Sequence, residues 1–270
     1  MTWHALHRDG LQLNGFSGGE GDALIFQHGL GGDEAQVASV LPEFCGHRLT
    51  LECRAHSRSD AGDTSLFSIS TFADDVLAFA DQQGIDRFAV GGISMGAAIA
   101  LRIAIKQPTR VTALILSRPA WLWSDAPENM RVIAKASDFI EHGRKDDFLA
   151  SVDAGLLRAE APDNLASLLG MFDRQHPQII AQLLKSIAGD GPGVNENEVR
   201  SLSVPTLVLA TKRDLVHPLS HATTLAGCIP LAEFVELTPK ATDKTAYTNE
   251  HRAAVSAFLS RRKFNRDQEF

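Results

Sequence analysis

An apolar stretch broken by a glycine-flanked serine is the feature that most restricts the fold of this chain of 270 residues. The stretch covers residues 88–105, and residues 92–96 within it read GxSxG, with Ser94 at the centre. A membrane span is a poor interpretation, because glycines, a serine and an arginine interrupt the run. The pattern instead predicts a buried strand over 88–93, a tight turn, and a helix over 97–105.

Similar apolar runs alternate with helical spacing elsewhere in the chain. Further strands are predicted over 23–26, 47–53, 112–116, 206–210 and 234–237, and further helices over 70–83 and 246–259. Short, continuous apolar runs are typical of strands that are buried on both faces. The predicted fold class is therefore α/β, with a mostly parallel, doubly wound sheet.

Between Pro119 and about Arg200 the strand signal disappears, and apolar residues recur at helical spacing. A chain of this length fits one domain with an inserted lid. We therefore predict that residues 1–118 and 200–270 form one core, and that residues 119–199 form a helical cap inserted into it.

Composition excludes several classes of protein. With 44% hydrophobic and 22% charged residues, the chain is neither disordered nor fibrous. Its net charge of −7, without a basic block in the predicted core, argues against nucleic acid as a partner. The amino terminus lacks an apolar run behind a positive start, so we expect neither a signal peptide nor a membrane partner. The sequence does not predict an oligomeric state.

The three cysteines are Cys45, Cys53 and Cys228, and their spacing matches no metal-binding pattern. An odd number of scattered cysteines favours a reducing, cytoplasmic setting. We expect no bound metal and no organic cofactor.

Ser94 lies where a nucleophile is expected. Flanking glycines allow the backbone a sharp, strained turn that lifts the serine hydroxyl above the sheet. A second glycine-rich run, residues 28–32, follows the strand predicted over 23–26. Because ligands bind at the carboxyl ends of parallel strands, the two turns meet at one crevice. We therefore expect the backbone N–H groups of Leu30 and Met95 to form an oxyanion hole.

These motifs resemble those of the α/β-hydrolase superfamily, and the resemblance extends over nearly the whole chain. The matching features are the His-Gly pair at 28–29, the run RAHSRS at 54–59, the GxSxG turn, the helical cap and the strand that leads to Asp214. The resemblance implies that Asp214 is the acid of a catalytic triad. It also disfavours the halide-displacing members, which carry Asp in place of the serine.

The histidine of the triad is missing from its usual place. Members of the superfamily place it just after the last strand, where this chain has Asp243. His217, three residues after Asp214, is the first candidate for the base, because imidazole accepts a proton near neutral pH. Lys240 paired with Asp243 is a second candidate, and His251 a third. A site without an efficient base is the remaining alternative.

Side chains near these motifs are candidates for binding substrate. Arg118, Trp121 and Trp123 follow a strand end, where an arginine can clamp a carboxylate and indoles can wall a pocket. Packing of the lid against the body is the alternative for all three. His28 is a further candidate contact, although in the superfamily the residues at the positions of His28 and His56 mainly hold loops in place.

We interpret the chain as a serine hydrolase that acts on a small carboxylic ester or lactone through an acyl-enzyme on Ser94. The expected partner is a small-molecule substrate. Three alternatives stay open, because one fold supports many chemistries: a C–C bond hydrolase, a cofactor-free oxygenase, and a binding module with little or no catalysis.

Overall fold

The computed structural model describes residues 2–41 and 46–266, and Cys45 lies outside them. Eight strands of the described residues form one sheet in the order β1-β2-β4-β3-β5-β6-β7-β8. The strands are β1 (Thr2–Arg8), β2 (Leu11–Gly18), β3 (Ala23–Gln27), β4 (His47–Leu51), β5 (Phe88–Ile93), β6 (Val111–Ser117), β7 (Thr206–Thr211) and β8 (Ala232–Leu237). Strands β3 to β8 pair in parallel, which confirms the predicted α/β class.

An antiparallel hairpin at the amino terminus, β1 and β2, was not predicted. Its turn consists of Asp9 and Gly10, both with positive φ, at +54° and +76°. An Asp-Gly pair of this kind matches the twist of a hairpin. The hairpin joins the sheet through the antiparallel pairing of β2 with β4.

Helices cover both faces of the sheet. The helices outside the predicted cap are α1 (Glu34–Val40), α2 (Ile69–Gln82), α3 (Met95–Lys106), α10 (Leu219–Cys228) and α11 (Lys244–Arg266). Alternate residues of β3 show how the faces divide, since Ile25 belongs to the cluster containing α2 and α3, and Phe26 to the cluster containing α1 and α11. The doubly wound arrangement follows from this alternation.

Six helices lie between β6 and β7, and we call them the cap. They are α4 (Arg131–Glu141), α5 (Lys145–Ala150), α6 (Val152–Glu160), α7 (Pro162–Phe172), α8 (Pro177–Ala188) and α9 (Glu196–Arg200). A short 3-10 turn, Glu128–Met130, precedes them. The apolar faces of α4, α7 and α8 belong to the same hydrophobic cluster as α2 and α3 of the body.

The segment after β4 is fixed by a buried ion pair. The guanidinium of Arg54, which is 1% exposed, donates from Nε to Asp75 Oδ2 at 2.7 Å and from Nη2 to Asp75 Oδ1 at 2.9 Å. Asp75 lies on α2 and is fully buried. The pair therefore ties the loop after β4 to a helix of the body.

Among the described residues, no helix has both the length and the apolar character that crossing a bilayer requires. The same residues contain no group of three or more His, Cys, Asp or Glu side chains that is able to hold a metal ion.

Candidate active site

Ser94 lies in a strained turn between β5 and α3. Its backbone has φ +55° and ψ −111°, and residues other than glycine rarely adopt a positive φ. The serine N–H donates to the carbonyl of Ser117, at the end of the neighbouring strand β6, over 2.9 Å. Such strain persists only where the surroundings fix it, and it is common at functional sites.

The flanking glycines are needed for this turn because the backbone passes so close. A Cβ atom added at Gly92 would lie 2.3 Å from the carbonyl carbon of Gly96. One added at Gly96 would lie 2.3 Å from the carbonyl oxygen of Gln27, at the end of β3. The GxSxG pattern therefore reflects contact between the turn and the neighbouring strand.

His217 lies beside Ser94, with 2.8 Å between Nε2 of the ring and the serine Oγ. The other ring nitrogen, Nδ1, lies 2.8 Å from Oδ1 of Asp214. An ionised carboxylate only accepts hydrogen bonds, so we assign the ring hydrogen to Nδ1. Nε2 is then free to accept the hydrogen of the serine hydroxyl. We call Ser94, His217 and Asp214 the triad.

Asp214 receives donors on both carboxylate oxygens. Oδ1 also accepts the backbone N–H of His217 at 3.0 Å and Nδ2 of Asn164 at 2.9 Å. Oδ2 accepts Nε of Arg118 at 2.7 Å and lies 2.6 Å from its Nη2. Burial by itself raises the pKa of Asp214, but His217, the Arg118 guanidinium and these hydrogen bonds hold that pKa well below its usual range. The carboxylate is therefore ionised at neutral pH.

His217 is neutral at the same pH. Burial, the largest effect, lowers the pKa of its imidazole, and the positive charge of Arg118 lowers it further. The carboxylate of Asp214 opposes both effects but does not cancel them. A neutral imidazole is the form that accepts a proton.

Within the described part of the chain, the two expected oxyanion donors are unpaired. The backbone N–H groups of Leu30 and Met95 make no hydrogen bond to any described residue. Met95 begins α3, and Leu30 lies in the turn after β3. A Cβ atom on the adjacent Gly29 would lie 3.5 Å from Cβ of Ser94, so the turn passes directly beside the serine. Both N–H groups are thus available to a ligand atom.

His28 and His56 hold this turn in place. Nε2 of His28 accepts the N–H of Cys53 at 3.1 Å, and Nε2 of His56 accepts the N–H of Gly31 at 3.0 Å. Both rings are fully buried, and burial lowers the pKa of His28 to about 4. These contacts correspond to the loop-holding role that the resemblance implied.

The structure does not bring the other candidate bases to the serine. His251 is buried, with Nε2 at 2.9 Å from Oγ of Ser117 and Nδ1 at 2.9 Å from the Val40 carbonyl oxygen. Burial lowers the pKa of this imidazole to about 4. Asp243 Oδ1 accepts the N–H of Ala246 at 2.9 Å, at the start of α11. Lys240 is half-buried and does not line the cavity beside Ser94. Of the four candidates, only His217 contacts the nucleophile.

A small cavity of about 90 Å³ opens beside the triad. Apolar side chains from the body and the cap form most of its wall, including Leu30, Ile133, Leu168, Met171 and Val216. A larger cavity of about 660 Å³ opens at the amino-terminal ends of the strands, beside Asp86 and Arg87, and contains no member of the triad.

Two expectations about substrate contacts need correction. His28, Trp121 and Trp123 do not line the small cavity, and the Trp121 indole instead donates to the carbonyl of Asp190 at 2.8 Å. The tryptophans pack the cap onto the body. Arg118 does line the cavity, but its guanidinium is bound to Asp214 and is therefore not free to clamp a substrate carboxylate.

Sequence reasoning missed Asn164 and the contact of Arg118 with Asp214. Asn164 is a buried polar residue on the apolar face of α7, among Leu165, Leu168 and Met171. That position is a usable signal, because a buried amide needs hydrogen-bond partners. Its partner is 50 residues away in the sequence, which the spacing of residues does not reveal.

Comparison with known proteins agrees with this architecture. The model of a family described as alpha/beta hydrolase fold matches residues 22–242. A protein of Rhizobium rhizogenes named putative carbamate hydrolase RutD is 27% identical over 230 residues, which are 83% of this chain and 86% of that protein. The 3-oxoadipate enol-lactonase 1 of Acinetobacter baylyi is 24% identical over 224 residues, 76% of each chain.

Among solved structures, the enol-lactonase from Burkholderia xenovorans LB400 superposes with a TM-score of 0.73 and 22% identity, covering 95% of this chain and 100% of that one. At this identity the likeness concerns the fold alone.

Proposed function

The chain is a hydrolase that belongs to the alpha/beta hydrolase fold family, and we propose that it cleaves a small carboxylic ester or lactone through an acyl-enzyme on Ser94. One observation carries the proposal: His217 lies 2.8 Å from the serine Oγ with one ring nitrogen and 2.8 Å from Asp214 with the other. Nucleophile, base and orienting acid are thereby linked in the order that acyl transfer needs.

In the first half of the reaction, Ser94 Oγ bonds to the carbonyl carbon of the substrate as its proton passes to Nε2 of His217. The carbonyl oxygen becomes an oxyanion, which accepts hydrogen bonds from the N–H groups of Leu30 and Met95. When the tetrahedral intermediate collapses, the bond to the leaving oxygen breaks. That oxygen takes the proton from His217 and departs as an alcohol, or stays attached as the opened end of a lactone.

In the second half, a water molecule replaces the alcohol. His217 takes a proton from the water as its oxygen bonds to the acyl carbon, and the same two N–H groups receive the second oxyanion. Collapse breaks the bond to Ser94, whose Oγ recovers the proton from His217. The carboxylic acid product leaves, and Asp214 stays ionised throughout.

The cavity favours a small acyl group. Its volume of about 90 Å³ is well below the several hundred Å³ that is usual for drug-sized ligands, and its wall is mainly apolar. We therefore place a compact, largely uncharged acyl or lactone ring against Ile133, Leu168 and Val216.

A carbamate is the second candidate substrate. The relative from Rhizobium rhizogenes, with its name of putative carbamate hydrolase RutD, is the observation that favours it. Attack by Ser94 on a carbamate also produces a tetrahedral oxyanion, so the same groups would act. Esters, lactones and carbamates of equal size, compared by kcat/KM, would separate these candidates.

The first test is covalent labelling of Ser94 by a fluorophosphonate at pH 8, followed over time by mass spectrometry of the intact protein. We expect rapid single labelling of the wild type and no labelling of Ser94→Ala. In His217→Gln the labelling rate should fall by about 10²–10⁴-fold, the usual contribution of a general base. His142→Gln is the matched control, because His142 is exposed at the end of α4 and bonds the Asp138 carbonyl.

Each other result points to a different function. Labelling that survives His217→Gln unchanged would contradict the assignment of the base. A wild type that remains unlabelled would favour a binding module or a reaction that does not use Ser94 as the nucleophile. Labelling without hydrolysis of any ester, lactone or carbamate would favour C–C bond hydrolysis or oxygenation.

A further inference from the structure

The loop that carries both Asp214 and His217 makes few hydrogen bonds between its own backbone groups. This acid–base loop, residues 213–218, follows β7 and precedes α10. Its first residue, Arg213, has a φ of +58°. Three consecutive backbone N–H groups in the loop, those of Leu215, Val216 and His217, donate only to side-chain oxygens. The shape of the loop therefore depends on the side chains that accept these bonds.

Asn164 of the cap accepts two of the three. Its Oδ1 lies 2.9 Å from the N–H nitrogen of Leu215 and 3.0 Å from that of Val216. Its Nδ2 donates to Oδ1 of Asp214 at 2.9 Å, so one amide holds both the backbone of the loop and the carboxylate. Asn164 is only 4% exposed, and its loss would leave the buried N–H of Val216 without a partner.

Asn129, in the 3-10 turn before the cap, is a second contact to the loop. Its Nδ2 lies 2.7 Å from the carbonyl oxygen of Val216 and 2.9 Å from that of Ala120. Asn129 does not touch Asp214 or His217, so its contacts hold the loop without touching the triad.

Helix α7, on which Asn164 lies, also reaches the other half of the site. A Cβ atom on Gly31, next to the oxyanion donor Leu30, would lie 1.7 Å from the methyl carbon of Met171. Arg174, two residues after the helix, donates to the carbonyl of Gly31. One cap helix therefore contacts both the acid–base loop and the oxyanion turn.

We infer that Asn164 is a positioning residue. It couples the packing of α7 against the body, which we call its seating, to the alignment of His217 with Ser94. The inference rests on the proposed function. When α7 is seated, Asn164 fixes the acid–base loop and donates to Asp214. When α7 lifts away to admit a substrate, the loop loses both contacts, and His217 loses its alignment. The base is thus assembled by the same movement that closes the cavity.

The test is the pH dependence of fluorophosphonate labelling in Asn164→Ala. Misplacement of a catalytic group by about 1 Å costs on the order of 10²-fold, so we expect the rate at pH 8 to fall by about that factor. Because Asp214 loses a donor, its charge acts more strongly on His217. The acidic limb of the profile should therefore move to higher pH, which loss of packing alone would not cause.

Gly170→Ala is the control on the same helix, because Gly170 is exposed and an added Cβ would meet nothing within 4 Å. Its rate and pH profile should match the wild type. An unchanged rate and acidic limb in folded Asn164→Ala, with labelling still dependent on Ser94 and His217, would overturn the inference and leave the proposed function intact. An unlabelled wild type would overturn both.

Amide hydrogen exchange in the wild type gives a second measurement, which does not depend on the folding of a variant. The N–H groups of Leu215 and Val216 should exchange as slowly as those of α7, because the same seating protects them. Rapid exchange of these two groups while α7 stays protected would also overturn the inference.

Discussion

Arg118 places a buried positive charge against the carboxylate on which His217 depends. Its own φ is +49°, and its backbone N–H donates to the Leu209 carbonyl at 2.7 Å, so the backbone is fixed where this side chain begins. The arginine bonds Oδ2, the imidazole bonds Oδ1, and Nη2 of Arg118 also lies 3.2 Å from Nδ1 of His217. The positive charge so close to the ring lowers the affinity of the imidazole for a proton.

The activity of the wild type should therefore persist into mildly acidic solution. Burial and Arg118 lower the pKa of His217 below its ordinary value near 6.5, and only the unprotonated ring acts as a base. Activity is then lost as the pH falls through this lowered pKa. In Arg118→Gln the positive charge is lost and the pKa of His217 rises, so the acidic limb of kcat/KM should move to higher pH.

Arg110→Gln is the matched control for this profile, because Arg110 precedes the strand β6 that Arg118 follows, and it bonds Asp81 far from the triad. Coincident acidic limbs for wild type and Arg118→Gln would contradict the assigned role of the guanidinium.

The buried pair of Arg54 and Asp75 predicts a large effect on stability. In Asp75→Asn the guanidinium keeps its charge and its bond to the half-exposed Asp9, but it loses its buried carboxylate partner, which costs about 3–5 kcal/mol at a buried site. Denaturant unfolding at neutral pH measures the loss. Asp81→Asn, which breaks a pair with a 63% exposed carboxylate, should cost at most about 1 kcal/mol. Equal losses in the two variants would refute the buried pair as a source of stability.

At the scale of elements, glycines differ in how far the fold depends on them. Gly96, at the turn between β5 and α3, is essential, whereas Gly155 in α6 is not. Gly96→Ala would press a Cβ atom against the backbone of β3, and we expect a loss of about 1–3 kcal/mol or more. Gly155→Ala, in the interior of α6 with nothing within 4 Å of the new Cβ, should gain about 0.5–1 kcal/mol. Thermal unfolding of the two variants tests both signs, and stabilisation by Gly96→Ala would contradict the close packing described at the turn.

Much of the sheet was predictable because its strands are continuous apolar runs. All six residues of β5 and of β7 are buried, so their pattern is unambiguous. The hairpin strand β1 has one buried residue, Leu6, and gives almost no such signal. The last helix begins at Lys244 and continues past the predicted end at residue 259. The prediction ended early because the sequence beyond residue 259 is polar and lacks apolar periodicity.

The candidate site was predictable where it is local in the sequence. Ser94 follows from its glycines, and His217 from its distance of three residues to Asp214. The contacts of Asp214 with Asn164 and Arg118 span 50 and 96 residues, and only the folded chain brings them together.

At the scale of the whole molecule, cap and body share one hydrophobic cluster, which includes Phe72 and Ile99 of the body and Ile133 and Leu183 of the cap. Shared apolar contacts make the two parts unfold together. We therefore expect a single calorimetric transition, with equal calorimetric and van't Hoff enthalpies.

Leu183→Ala should lower the temperature of this single transition without splitting it. A buried leucine truncated to alanine costs about 2–5 kcal/mol, and here that cost falls on cap and body together. A separate early transition, present in the wild type or created by the substitution, would mean that the cap unfolds independently.

Asp214 and His217 are encoded within four consecutive codons. A single recombination event therefore transfers acid and base together, whereas an arrangement on two loops has to be inherited from two distant places. The segment after β8 contributes neither group to the site. Its described contacts serve the last helix instead, since Asp243 caps the start of that helix and Thr238 bonds Glu250 within it.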